Sequence, residues 1–292
     1  MGRARVAVVG GGISGIACAR ALHSAGLDVV VLDRGRRLGG RMASRTLRDT
    51  GLPYDGRVVD VGASYLTAAH PDFLRVVESW VERGLARPWT DSFTVIDTEG
   101  SRADTIGPMR YAARAGLRSL VEDLASDLPQ VVQPHEVEQI ERVGDRWSVD
   151  GDEVDALVLA MPAPQAADLL PPDHPVQDVL GPIRFDPVLA LVAAYDERTW
   201  HPFDGIFVND SAVLTFVADD GRRRGDDAPV LVAHSSAVLA ARHLDDPVRA
   251  LPMMLAALHA AIGTDVDPVW ADVRRWGLAK PHATTGSLCH LE

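Results

Sequence analysis

Arg5-Val6-Ala7-Val8-Val9-Gly10-Gly11-Gly12-Ile13-Ser14-Gly15-Ile16-Ala17 is the stretch on which the fold turns. A short β-branched run ends abruptly in three glycines. From Ile13 to Ala25 apolar residues then recur at helical spacing (Ile13, Ile16, Ala17, Ala21) until Gly26 stops them. Val29 to Leu32 reads as a second buried strand, closed by Asp33. The result is a strand, glycine turn, helix and strand, with Gly10, Gly12 and Gly15 at GxGxxG spacing. Gly10 permits the tight turn, Gly12 lets backbone approach a pyrophosphate, and Gly15 allows close helix–strand contact. The helix start at Ile13 and Ser14 offers unpaired amides and a partial positive charge to phosphates. Asp33 stands where a strand-end acid accepts hydrogen bonds from a ribose, and its charge disfavours a 2′-phosphate, hence NADP. Glycines also make ordinary loops; the strand, helix and acid occurring together favour the dinucleotide reading.

The next bend narrows the ligand. Arg34-Gly35-Arg36-Arg37-Leu38-Gly39-Gly40-Arg41-Met42-Ala43-Ser44 follows Asp33 directly. Gly39 and Gly40 let a loop run against a ligand without side-chain collision. Arg41 can present a fork of donors to a phosphate, and Arg34 and Arg36 add positive charge nearby. A plain NAD fold has no evident need for this second loop, whereas an extended FAD must be contacted along its ribityl chain and pyrophosphate. A solvated basic turn is the competing reading.

Composition sets outer bounds. The 292 residues carry 29 Lys+Arg against 41 Asp+Glu, a formal charge of −12, which argues against broad binding to nucleic acid or anionic membrane. Hydrophobic residues at 47% and charged residues at 24% are ordinary for a globular chain of one large or two modest domains. Cys18 and Cys289 are the only cysteines and offer neither a disulfide framework nor a CxxC pattern. No apolar run approaches the roughly 18 residues a membrane span needs. These features predict a cytoplasmic protein.

The stretch Gly10–Gly15, Asp33 and Arg36-x-x-Gly39-Gly40-Arg41-x-x-Ser44 resembles the FAD-binding start of the amine oxidase, phytoene desaturase and protoporphyrinogen oxidase superfamily. Asp60-Val61-Gly62-Ala63-Ser64-Tyr65-Leu66-Thr67 resembles a "DxGAxYxT" stretch of its small renalase-like branch, as do Phe203–Asp210 and Arg275-Trp276. The resemblance implies an α/β fold: a Rossmann-type FAD-binding domain with an inserted mixed-sheet substrate domain. It implies a discontinuous FAD-binding domain over 1–70, 110–165 and 276–292, with the substrate domain over 71–109 and 166–275. Gly62, Ala63, Ser64 and Tyr65 are placed by it near the isoalloxazine. Val137 is implied as an adenine contact, and Ala160 and Pro162 as passing near the dinucleotide. The superfamily normally adds a final segment with a Gly-Asp pair against the FAD. The sequence runs out at Cys289-His290-Leu291-Glu292, where that segment would begin, which implies either a shortened chain or an unusually open site.

Elsewhere the spacing predicts helices over Pro71–Arg83, Leu117–Ala125 and Pro247–Ile262. Strands are predicted over Val58–Val61, Val137–Val143, Arg146–Val149, Asp155–Ala160, Pro187–Tyr195, Gly205–Val208, Val213–Val217 and Val230–His234. Asp219-Asp220-Gly221-Arg222-Arg223-Arg224-Gly225-Asp226-Asp227, balanced in sign, reads as a solvated hairpin tip.

Other chemistries fit poorly. His282, Cys289 and His290 lack a remote ligand pair for zinc, no GxSxG occurs, and the carboxylates show no paired spacing. A bound flavin would do the redox work, with the protein positioning a donor near it. The renalase-like branch oxidises dihydronicotinamide isomers and passes the electrons to O2, giving H2O2, and the resemblance implies that activity here. Tyr65, Thr67, Asn209, His234 and Trp276 are the candidate catalytic-pocket residues, each with a packed or satisfied core role as alternative. Lys280, the single lysine, reads as a surface residue in a loop before Pro281. The competing functions are an amine oxidase or dehydrogenase on the same flavin frame, and a non-catalytic dinucleotide-binding protein.

Overall fold

The computed structural model describes residues 2–51 and 53–282. Cys289, His290 and the chain end expected to precede a flavin-closing segment lie outside the described residues. The described residues form two compact units, 2–42 with 121–185 and 281–282, and 43–51 with 53–120 and 186–280.

The first unit is built on a parallel sheet in the order Ala156–Leu159, Arg5–Val9, Asp28–Leu32, Val131–Val132. Arg5–Val9 lies inside this sheet, with Val8 opposite Val158 on one side and Val31 on the other. A strand paired on both edges and covered on both faces is apolar throughout, which is why this run is unbroken. The helix Ile13–Ser24 follows the glycine turn, as its periodicity predicts. Beside the sheet, Ile140–Val143, Arg146–Val149 and Asp152–Val154 form an antiparallel meander. Its second turn places Asp150 and Gly151 at φ 49° and 92°, the left-handed pair that matches the twist of a tight hairpin. Ile140, Val149 and Val154 pack with Ala7, Val9, Val30 and Val137 in one core. The strand predicted from Val137 begins only at Ile140. The amides of Glu138 and Gln139 donate to Oδ1 of Asp150 (3.0 and 2.9 Å), so a side chain takes the donors a ladder would have used.

The second unit holds a seven-stranded mixed sheet in the order Trp270–Pro281, Phe185–Ala194, Val230–Ser235, Leu214–Asp219, Gly205–Val208, Ala86–Ile96, Arg102–Ala113. Gly205–Val208 and Ala86–Ile96 run parallel; the other pairings given by register are antiparallel. Along Phe185–Ala194, Leu189, Leu191 and Ala193 enter one core with Met254, Leu258 and Ile262. Ala190, Val192 and Ala194 enter another with Val59, Val61 and Val232. Period-two alternation between two dry faces explains the uninterrupted apolar sequence here.

Two expectations are corrected in this unit. The helix predicted from Pro247 is a 3₁₀ turn, Pro247–Ala250, followed by the helix Leu251–Ile262, because Pro252 has no amide and is tolerated only in a first turn. Asp219–Asp227 is not a solvated tip. Asp220–Arg224 forms a short helix whose Asp220, Arg223 and Arg224 are buried, capped by the Asp219 side chain at one end and a left-handed Gly225 at the other. The charges are hidden because each meets a partner remote in sequence.

Candidate functional site

The glycine turn and the arginine-bearing bend are hydrogen-bonded to each other. The Gly39 amide donates to the Gly11 carbonyl (2.9 Å), and Gly12 and Gly39 form an isolated parallel bridge. Asp33 fastens the same junction: its Oδ2 accepts from the Gly11 amide (2.6 Å) and its Oδ1 from the Gly35 amide (2.8 Å). Gln133 Nε2 donates to the Arg36 carbonyl (2.9 Å), tying the bend to the far edge of the sheet.

The glycines divide into two kinds. Gly10 has φ +117°, and a Cβ there would stand 2.9 Å from the Ala160 carbonyl carbon; at Gly15 it would stand 2.0 Å from the Gly10 carbonyl oxygen. Gly40 has φ +50° and would press 3.2 Å from the Gly12 Cα. These glycines are demanded by the protein itself, through backbone handedness or close approach. Gly12 is different. Its φ of −76° suits any residue, and a Cβ there would meet only the Gly40 Cα at 4.0 Å. Among the described residues nothing requires a glycine at that position. The missing side chain leaves room at the start of the helix Ile13–Ser24, which has no side-chain cap and no acid in its first turn. A bare helix start beside a space a Cβ would fill fits a pyrophosphate.

The remaining candidates of this unit lie around that turn. The Ala160 amide donates to the Val9 carbonyl (2.8 Å), extending the ladder, and Pro162 caps the next helix, Ala163–Leu169. Val137 is buried two residues after His135, whose amide donates to the Asp33 carbonyl (2.8 Å). Arg34 and Arg36 are exposed, Arg34 at 3.6 Å from Glu136. Arg41 is also exposed, its guanidinium 5.5 Å from the Phe185 ring centre.

In the second unit, the segment Val61–Leu66 is held through the backbone at Val61, Gly62, Ser64 and Leu66. Trp276 Nε1 donates to the Val61 carbonyl (2.8 Å), and the Gly62 amide donates to the Ala43 carbonyl (3.3 Å). The Ser64 carbonyl accepts from Arg223 Nη1 (2.9 Å), and Leu66 exchanges backbone bonds with Tyr111 (3.1 and 2.9 Å). His234 joins through a hydrogen bond with the Gly62 backbone. The structure thus gathers Gly62, Ala63, Ser64, Tyr65, His234 and Trp276 around one segment. Thr67 and Asn209 are exposed; the Asn209 amide donates to the Ile96 carbonyl (2.9 Å) at the end of its strand.

Burial pushes the His234 imidazole down to about 4, with the charges of Lys280 and Arg223 acting the same way and the Gly62 hydrogen bond opposing them. His234 is therefore neutral near pH 7. Lys280 is exposed, yet it belongs to the strand Trp270–Pro281 rather than to a loop.

Two groups were not legible in the sequence. One is the network beneath the Val61–Leu66 segment. Asp220 meets Arg57 (2.7 Å), Arg223 and Arg224 (3.1 Å), while Arg224 also reaches Asp60 (3.0 Å). Asp60 in turn accepts from the Ser44 hydroxyl (2.6 Å) and the Leu117 amide (2.8 Å). Burial alone would raise the Asp220 pKa; the charges of Arg224, Arg223 and Arg57 overcome it and hold the carboxyl far below its usual range. The sequence signal was there in the Asp219 cap and the Gly225 stop, but the partners were not. A cavity of about 610 Å³ borders this network, lined by Tyr54, Arg57, Arg114 and Arg224 among others, and no candidate substrate residue lines it. The second group is an aromatic cluster of Tyr65, Trp89, Phe93, Phe207 and Phe216, with ring centres 5.2–6.1 Å apart in the contacting pairs.

Known proteins place this geometry. Residues 8–80 match the family described as an NAD(P)-binding Rossmann-like domain, and residues 90–291 match the flavin containing amine oxidoreductase family. The chain belongs to the flavin containing amine oxidoreductase family. The family's description names its cofactor class, a flavin. Amine oxidase [flavin-containing] B of Bos taurus is 34% identical over 133 residues, covering 42% of this chain and 24% of the bovine protein. The Homo sapiens protein of the same name is 47% identical over 73 residues, 25% of this chain and 13% of its own length. The matches therefore span less than a quarter of those relatives. A solved structure from Exiguobacterium sp. 255-15, provisionally assigned as a protoporphyrinogen oxidase, superposes with a TM-score of 0.76 at 16% identity, covering 98% of this chain and 89% of that one. Cyclohexylamine oxidase from Brevibacterium oxydans IH-35A gives 0.75 at 14% identity, covering 94% and 85%. Both share the α/β fold, a Rossmann-like domain with mixed sheets.

Proposed function

We propose that this chain is an FAD-dependent oxidase of renalase-like type, acting on a dihydronicotinamide-type small molecule with O2 as electron acceptor. The observation that carries the cofactor reading is the Gly39–Gly11 hydrogen bond, which welds two ligand-facing bends into one cradle beside an unneeded glycine at position 12. Gly10, Gly12, Ile13, Ser14, Gly15, Asp33, Gly39, Gly40 and Arg41 would hold the adenosine and pyrophosphate portion, with Arg34, Arg36, Val137, Ala160 and Pro162 around it. Gly62, Ala63 and Ser64 would take the flavin side. When bound, the flavin would accept hydride from the donor and return the electrons to O2 as H2O2. The protein's own contribution is positioning: a rigid Val61–Leu66 backbone, a neutral His234 and the Tyr65 and Trp276 rings. Functionally, 1–70, 110–165 and 276–292 would serve the cofactor and 71–109 with 166–275 the substrate, in a cytoplasmic protein. No described helix is long and apolar enough to cross a membrane.

A second reading, oxidation of an amine, is favoured by the names of the flavin-containing relatives. An absorption spectrum of the purified protein followed by anaerobic titration separates the two. Flavin bands bleached by a reduced nicotinamide isomer, with peroxide formed on admitting air, are expected. Bleaching by an amine alone would replace the first reading with the second. A colourless protein that does not retain added FAD would overturn both.

A further inference from the structure

Arg110 is a buried cation with no counter-ion among the described residues. The residue is 6% exposed, and its contacts are with aromatic rings rather than with a carboxylate. Among the described residues its Nε has no partner, and the one hydrogen bond of its guanidinium, from Nη1 to the Pro108 carbonyl, is 3.5 Å long. What surrounds it is aromatic: the guanidinium carbon stands 3.9 Å from the Phe93 ring centre and 5.6 Å from that of Tyr65. Ring faces recover part of the lost hydration but leave the in-plane N–H donors unanswered.

A second orphan donor belongs to the same cluster. Trp89 Nε1 is buried with no acceptor, its ring 5.2 Å from Phe93 and 6.1 Å from Tyr65. The register explains why the two meet one set of rings. Pro88 pairs with Tyr111 and Thr90 with Arg110, so Trp89 is the extra residue of a bulge opposite Arg110. Bulges re-aim side chains, and this one turns Trp89 toward the rings that Arg110 also covers. Two desolvated donors, one of them charged, belong to side chains that pack on one aromatic patch containing Tyr65. Leaving such donors unpaired is costly, and a ligand supplying an anionic acceptor removes the cost.

The geometry points to a substrate subsite at Tyr65, Trp89, Phe93 and Arg110 that selects an aromatic or heteroaromatic molecule carrying a carboxylate or phosphate, and rejects an alkylammonium cation. The assignment of this subsite to substrate rests on the flavoenzyme reading, through Tyr65. It deepens that reading by fixing the sign of the substrate's charge.

Calorimetric titration of the purified protein with benzoate, phenyl phosphate, benzyl alcohol and benzylammonium tests it, with flavin content recorded by absorption on the same sample. One or both anions should bind about 10–100-fold more tightly than benzyl alcohol, the range a charge-assisted hydrogen bond supplies. Benzylammonium should bind weakest. The ratio of benzoate to phenyl phosphate shows which anion the site is shaped for. Arg110→Gln should erase the preference for anions, and Arg110→Lys should keep part of it. Equal affinity for benzoate and benzyl alcohol, no binding of either anion, or an anion preference that survives Arg110→Gln would overturn the subsite. A flavin-bearing protein that fails this test loses only the subsite. A colourless protein that still binds benzoate through Arg110 loses only the cofactor reading.

Discussion

A Cβ on Gly15 would lie 2.0 Å from the carbonyl oxygen of Gly10, whereas a Cβ on Gly12 would meet nothing nearer than 4.0 Å. Two glycines of one motif therefore differ: the fold requires Gly15, whereas the glycine at position 12 is explained by the proposed cofactor. Gly15→Ala should cost about 1–3 kcal/mol by overpacking against backbone that cannot retreat. Gly12→Val should change stability by less than about 1 kcal/mol, since its extended backbone suits valine, yet abolish flavin retention. Chemical denaturation and flavin content, measured on both variants, check the contrast. A valine variant with normal flavin would show that the space at Gly12 is not a phosphate cradle.

Asp33 spends both carboxylate oxygens on backbone amides, those of Gly11 and Gly35. Asp33→Ala orphans two amides at the junction of the bends and should cost about 1–3 kcal/mol for each donor left buried. Flavin affinity should fall with it, through loss of the junction's shape and of the ribose acceptor. Equilibrium dialysis against FAD at a temperature where the variant is folded separates affinity from stability. Unchanged affinity would remove Asp33 from the cofactor's surroundings.

The buried carboxylate of Asp220 faces three guanidiniums, and cutting such a network is expensive because the partners stay behind uncompensated. Asp220→Asn should destabilise by about 3–5 kcal/mol. It should do so nearly independently of salt, since the charges are shut away from counter-ions. Asp72→Asn, which removes an exposed partner of Arg75, is the matched control and should cost less than about 1 kcal/mol. Similar losses in both variants would mean that the buried network contributes no more than a surface pair.

The opening unit was legible because its physics is local. A strand edge, a glycine turn and a helix stop are each written within a few residues of where they act, and Arg5–Val9, Ile13–Ser24 and Asp28–Leu32 form as their sequence predicts. Phe185–Ala194 was legible for the opposite reason: two dry faces leave no polar position to interrupt it. The hairpin of Ala86–Ile96 and Arg102–Ala113 was not foreseen. Arg102–Ala113 is an edge strand, mostly exposed, whose period is blurred by Gly107 and Pro108, while Pro88 and two register shifts interrupt that of Ala86–Ile96. Asp220 and Arg110 were missed for a deeper reason. Whether a charge is buried depends on groups such as Arg57 and Tyr65, which stand beside it in space and far from it in sequence.

His234 ties stability to pH in a window of its own. Its folded pKa, about 4, lies below the usual value near 6.5, so the unfolded chain binds the proton more readily between those limits. Its contribution is fully present above pH 6.5, declines as the pH falls, and is gone near pH 4, a loss on the order of 1–3 kcal/mol. Asp220 does not obscure this window: its depressed pKa withdraws stability only as the pH drops below the usual carboxylate range. His234→Phe, which keeps a ring beside Phe216, should flatten the melting temperature between pH 6.5 and 4 relative to the parent chain. Lys280→Gln should make the parent's decline smaller and end it at a higher pH, by removing a cation that helps to hold the folded imidazole neutral while the unfolded pKa stays near 6.5. Melting curves that run parallel for the parent and His234→Phe across this range would place the ring in water.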